Sequence, residues 1–203
     1  MNNVINNNYM KTGRLEAFSD GVLAIVITIM VLEMKAPEDT TFKGLLSVAP
    51  VFISYLLSFI YLGIYWNNHH HLMQVTQKVN GTILWANLHL LFWLSLIPFT
   101  TSWVGEHGNY NEALPVAIYG FVLLMSAIAY FILERVLIKY HDDNYALSKL
   151  CANGFKEYSS LILYLLAIPL AYLYTWIAIL FYVVVAFFWL IPERRLESFV
   201  EDN

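Results

Sequence analysis

Four long stretches of this sequence carry no charged side chain, and they limit the fold more than any other feature. Residues 44–68, 79–105, 113–133 and 158–192 contain no Asp, Glu, Lys or Arg. A helix needs about 20 consecutive apolar residues to cross the hydrocarbon of a bilayer. A shorter apolar run, 21–32, lies between Asp20 and Glu33. Charged residues make up 13% of the chain, where a soluble domain carries about 25%. The chain is therefore expected to be an all-α integral membrane protein in the lipid bilayer, with residues 1–203 forming one transmembrane domain. Residues 1–12 read as a disordered N-terminal tail without a signal-peptide layout. Residues 193–203 read as a cytoplasmic C-terminal tail.

The stretch 158–192 is 35 residues long and would span about 52 Å as one helix, well beyond the roughly 30 Å hydrocarbon. Two helices with a turn near 172–176, helped by Pro169, fit better. That makes six transmembrane helices with both termini on one side. The basic residues orient them. With the N-terminus inside, Lys11, Arg14, Lys78, Arg135, Lys139, Lys149, Lys156, Arg194 and Arg195 are inside, and Lys35 and Lys43 are outside. This asymmetry follows the positive-inside rule and places both termini in the cytoplasm. Trp66, Trp85, Trp103, Trp176 and Trp189 fall near span ends as interfacial anchors, whereas Trp93 reads as mid-span packing. The net charge of −4 does not favour a nucleic-acid partner. The single cysteine, Cys151, leaves no internal disulfide and no multi-cysteine metal site.

The first helix is unusual. Its uninterrupted apolar run covers only about 18 Å, a length more typical of a helix buried in protein than of a lipid-facing span. Ser19 and Asp20 at one end and Glu33 at the other need protein or water beside them. The helix is expected inside the bundle, walled from lipid by later spans. Ile25, Thr28, Ile29 and Leu32 form one stripe, which Gly21 and Phe18 extend. Asp20 lies about 140° from Ile25 on the wheel and points toward neighbouring helices. By spacing alone the stripe is either a helix-packing seam or a pore lining, in which aliphatic rings gate by dewetting and a threonine hydroxyl meets a passing ion.

The residues Arg14, Phe18, Ser19 and Asp20 form an R-x-x-x-F-S-D motif opening the first span. A Tyr65-Trp66-x-x-His69-His70 pattern comes after the second span, and the third contains Asn and Trp. This pattern strongly resembles the transmembrane protein 175 family of endosomal, lysosomal and bacterial potassium channels. The length matches the single six-helix repeat of the bacterial members, and the resemblance covers most of the chain. It implies a potassium-preferring cation channel in the bacterial inner membrane. It implies a homotetramer whose four first helices are central and line the pathway, with no T-V-G-Y-G filter. Ile25, Ile29 and Leu32 would form the hydrophobic constriction, and Thr28 would bear on cation preference. Arg14, Phe18, Ser19 and Asp20 would hold the first helix against its neighbours. The resemblance implies no catalytic group and no cofactor beyond the permeant potassium ion.

His69, His70 and His71 admit three readings: structural hydrogen bonding, pH sensing, or a metal site completed by His89 and Asp20. Successive helical residues point about 100° apart, which works against three neighbouring histidines converging on one ion. Arg14, Ser19 and Asp20 are expected in a buried polar network with some of Asn68, His70, Asn87 and His89. Glu33 reads either as part of a carboxylate ring at the outer mouth or as a solvated helix end beside Lys35. An intramembrane metal enzyme or a secondary transporter using the His69–His71, His89 and Asp20 cluster is the competing class of function.

Overall fold

The computed structural model describes residues 12–106, 112–141 and 154–190. The expected C-terminal tail, Cys151, and the expected N-terminal tail up to residue 11 lie outside the described residues. Thr12 is not part of a tail: it opens a helix and its hydroxyl donates to the Thr76 carbonyl at 3.0 Å.

The described residues are helical almost throughout, as hydrocarbon demands of a chain whose backbone groups must be satisfied internally. The helices are α1 (Thr12–Leu32), α2 (Phe42–Ser47), α3 (Ala49–Gln74), α4 (Gly81–Leu94), α5 (Ile97–Glu106), α6 (Ala113–Tyr140), α7 (Phe155–Ala171) and α8 (Thr175–Leu190). Among the described residues, four units are long and apolar enough to cross a membrane: α1, α3, α4 with α5, and α6. Helices α7 and α8 are shorter, at 17 and 16 residues.

Local chemistry explains the breaks. Thr41 caps α2, its hydroxyl accepting from the Gly44 amide at 3.1 Å, and Pro50 sits in the first turn of α3, where a missing amide proton costs nothing. Asn80 caps α4 by accepting from the Ile83 amide at 2.9 Å. The third charge-free stretch is interrupted at Ser95 and Leu96, because Pro98 has no amide proton for the Leu94 carbonyl and its ring would clash there. The last stretch turns at 172–174, between α7 and α8. Helix α3 runs on to Gln74, so His69, His70 and His71 lie within its last turns rather than beyond it.

Helix α6 forms the middle of the chain, packing on α4, α5, α7 and α8. Small residues allow the close approaches that membrane helices rely on. Ala167 and Ala171 of α7 and Ala178 and Ala186 of α8 are buried. A Cβ on Gly120 of α6 would stand 2.0 Å from the Tyr182 hydroxyl. Tyrosine hydroxyls complete this core. Tyr164 donates to the Tyr61 hydroxyl at 3.1 Å, Tyr61 to the Tyr182 carbonyl, and Tyr182 to the Val116 carbonyl at 3.1 Å. Ser58 bonds both Thr101, at 2.7 Å, and Tyr119, at 3.0 Å.

Helix α1 packs on α3, α4 and α5. The expectation that it lies inside the bundle needs correcting for the single chain. It is the least buried of the four long units, and α6 is the most buried. The physical reason is that only one side of α1 carries residues that fit its neighbours.

Candidate functional site

Two faces divide α1. Leu15, Ser19, Leu23, Val26 and Met30 are buried, at spacings of three and four residues that keep them on one side. Arg14, Phe18, Gly21, Ile25, Thr28, Ile29 and Leu32 are exposed on the other. Ile25 is 59% exposed and Leu32 80%, so the stripe touches little of its own chain. The Thr28 hydroxyl donates to the Ile25 carbonyl at 2.9 Å. Its proton is thereby held on the helix, and it offers the open face oxygen lone pairs. Beside the stripe, an open groove of about 870 Å³ runs between α1 and α5 and includes Glu33 and Glu106.

The opposite face is held by three sets of polar contacts within five residues of α1. Asn87 of α4 donates to the Ser19 hydroxyl at 2.9 Å, and Ser19 donates to the Leu15 carbonyl at 3.0 Å. The Asn87 side-chain oxygen lies 2.8 Å from His69 Nε2, which must then carry the proton. All three residues are buried, so α1, α3 and α4 meet at one amide. Trp66 of α3 donates its indole N–H to Asp20 at 3.0 Å. His70 Nδ1 lies 2.6 Å from a Glu16 oxygen, and its Nε2 lies 2.8 Å from the Gln74 amide nitrogen. Glu16 accepts from His70 Nδ1, and Gln74 closes the other side of the ring.

The residues singled out by sequence do not form one network. Ser19 and Asn87 are bonded to each other, while Asp20 and His70 take Trp66 and Glu16. Asn68 donates to the Ile64 carbonyl of its own helix at 2.8 Å, and His89 accepts from Trp93, also on its own helix, at 3.0 Å. Arg14 and Phe18 stand on the exposed side of α1, away from the helices that hold Ser19 and Asp20. His69, His70, His89 and Asp20 thus take separate partners, His71 Nδ1 is buried without one, and no group of three or more His, Cys, Asp or Glu suited to a metal occurs among the described residues. Sequence reasoning missed Glu16, which occupies an unspecified position of the motif, and read Trp66 only as an anchor. A tryptophan and a carboxylate at the same membrane depth were the available signal. On α6, Glu134 is buried, whereas Arg135 stacks over Phe131 at 4.6 Å.

Residues 14–98 match the family described as endosomal/lysosomal potassium channel TMEM175. A potassium channel of Chryseobacterium sp. (strain P1-3) is 56% identical over 195 residues, covering 96% of this chain and 100% of that protein. This chain belongs to the TMEM175 family. A potassium channel of Streptomyces collinus is 33% identical over 126 residues, covering 59% of this chain and 61% of that one. The fold is similar to the crystal structure of a lysosomal potassium-selective TMEM175 homolog from Chamaesiphon minutus. The TM-score is 0.76 at 28% identity, covering 88% of this chain and 95% of that chain. In this member of the family, the motif's serine and aspartate face the chain's own helices while its arginine and phenylalanine face out.

Asn87→Leu is expected to lower unfolding stability by about 2 kcal/mol, because it orphans the buried His69 Nε2. The measurement is a thermal or denaturant melt in detergent, with Asn87→Asp as the polar control. Equal melts for Asn87→Leu and wild type would remove the bridge from the account of how α1 is held.

Proposed function

We propose that this chain is a potassium-preferring cation channel. Four copies place α1 around a common axis, and ions pass along the face bearing Ile25, Thr28, Ile29 and Leu32. Each chain crosses a bacterial-type plasma membrane six times, through α1, α3, α4 with α5, α6, α7 and α8, with both termini cytoplasmic. The names of the relatives and the distribution of basic residues support this reading. The observation that carries it is the division of α1. One face is anchored by Ser19, Asp20 and Glu16, and the other presents an apolar stripe, interrupted by one hydroxyl, that its own chain leaves uncovered. Copies of the same stripe meeting at an axis would cover it. The aliphatic rings would then repel water and set the barrier to a hydrated ion. Thr28 lone pairs would face the axis, and Glu33 would enrich cations at the outer mouth.

The test combines mass and flux. Light scattering of the detergent-solubilised protein is expected to give a four-chain mass. Liposomes with a potassium gradient are expected to show cation flux above that of protein-free liposomes, greater for potassium than for sodium. A single-chain mass, or flux equal to protein-free liposomes for the wild type and for variants that widen the stripe, would sink the reading.

A further inference from the structure

A cavity of about 370 Å³ opens between α3 and α8, near the first turns of both helices, with Ile53, Ser54, Leu57, Tyr119, Trp176 and Ile179 in its walls. Its volume falls in the range of about 300–1,000 Å³ usual for small-molecule sites. Ser54 is 6% exposed, and among the described residues its Oγ has no hydrogen-bond partner.

Among the described buried serines and threonines, that hydroxyl is an exception. Buried Ser19, Thr76, Thr101, Ser126 and Ser160 each donate to the carbonyl four residues earlier. Ser58 bonds Thr101 and Tyr119, and Thr100 donates to the Ile97 carbonyl. The tyrosine hydroxyls in the cavity wall are also used, Tyr119 by Ser58 and Tyr182 by the Val116 carbonyl. Ser54 is therefore the buried hydroxyl in the wall whose hydrogen bond awaits a partner, while the hydroxyl of Thr175, also in the wall, belongs to a half-buried residue; a buried polar group without a partner is unfavourable.

Depth and chemistry define that partner. Ser54 lies about 7.5 Å along the axis from the start of α3. Trp176, 64% exposed, marks the level of the interface at the start of α8. Past Ser54 the walls are apolar, with Leu57, Ile179 and Val183. The outer face of α8 is also apolar, with Leu180 and Phe187 exposed. An ion or a small polar solute matches neither the hydrocarbon floor nor this charge-free surrounding. A molecule with one acceptor at interface depth and a hydrocarbon tail matches both.

We propose that this cavity binds one acyl chain of a phospholipid, whose ester carbonyl accepts a hydrogen bond from Ser54 Oγ. The bound lipid lies against Tyr119 and Tyr182, so it stiffens the contact of α8 with α3 and α6.

The test titrates delipidated protein with dioleoyl phosphatidylglycerol and with its dialkyl-ether analogue, which lacks the ester carbonyl, and counts bound lipid by native mass spectrometry. The ester lipid is expected to bind wild type about fivefold more tightly than the ether lipid, as loss of one hydrogen bond implies. Ser54→Ala removes that preference by weakening only the ester lipid. Ile179→Trp fills the cavity and abolishes the tight site, whereas Leu180→Trp, on the exposed face of α8, preserves it. The proposal is overturned if wild type binds both lipids alike, or if Ser54→Ala weakens both equally. It is also overturned if folded Ile179→Trp keeps the site, or if Ile53→Cys cross-links copies of the chain across this face instead. The ester and ether comparison on wild type decides the matter even where a variant does not fold.

Discussion

Ile25→Asn is expected to raise cation flux through reconstituted protein at least tenfold and to reduce the preference for potassium over sodium. Ile25 stands on the open face of α1, 59% exposed, with its side chain free of its own protomer's core. Under the proposed pore, substitution there changes what a permeating ion meets without removing packing from the chain's own fold. Keeping an isoleucine side chain in water rather than in an apolar setting is unfavourable by about 1.5–3 kcal/mol. A ring of such side chains therefore resists wetting, and an amide at the same position holds water. A fall of about 1.4 kcal/mol in the barrier is a tenfold rise in rate. The melting temperature is expected to stay at the wild-type value. A variant that folds, assembles and conducts like wild type, with unchanged selectivity, places the constriction elsewhere. Leu23→Asn serves as contrast. Leu23 is 2% exposed on the opposite face, and its substitution should damage the fold instead of opening a path.

Gly120→Ala is expected to destabilise the protein by about 4 kcal/mol, combining overpacking of about 1–3 kcal/mol with lost hydrogen bonds of about 1 kcal/mol each. The new methyl would lie 2.0 Å from the Tyr182 hydroxyl and 2.6 Å from its Cζ. Tyr182 cannot swing aside freely. It is 1% exposed, its hydroxyl is bonded to the Val116 carbonyl, and its own carbonyl accepts from Tyr61. Helix α8 must move from α6, and the tyrosine core must open. Since folded proteins retain only about 5–15 kcal/mol of net stability, much of the protein should fail to accumulate. The measurement is the yield of monodisperse protein together with its thermal midpoint. In a Tyr182→Phe background the same substitution should cost less, because the atom nearest the methyl is gone. Strictly additive effects of the two substitutions would show that this contact is not the cause.

How far the sequence could be read depends on the range of the interaction concerned. The charge-free stretches locate the helices because the bilayer tests each segment by its own length and composition. The turn at 172–174 follows from a stretch too long to cross once. The helical wheel separates Asp20 from Ile25, and the structure keeps them apart, with Asp20 on Trp66 and Ile25 exposed. Each of these inferences uses only neighbours along the chain.

The partners across helices were not readable in this way. Glu16 meets His70, 54 residues away, and Asn87 joins Ser19 to His69, whereas His89, equally polar and two residues further on, turns to Trp93 on its own helix. Nothing local distinguishes Asn87 from His89, because the choice depends on which face α4 presents once α6 and α1 have packed against it. The tyrosine core and the unpartnered hydroxyl of Ser54 have the same origin. The sequence by itself determined that this chain spans a membrane, roughly where its long helices lie, and which residues of α1 share a face. Only the tertiary structure decided which face of α1 is anchored and which is left open, since that depends on the rotation and crossing of helices far apart in the chain.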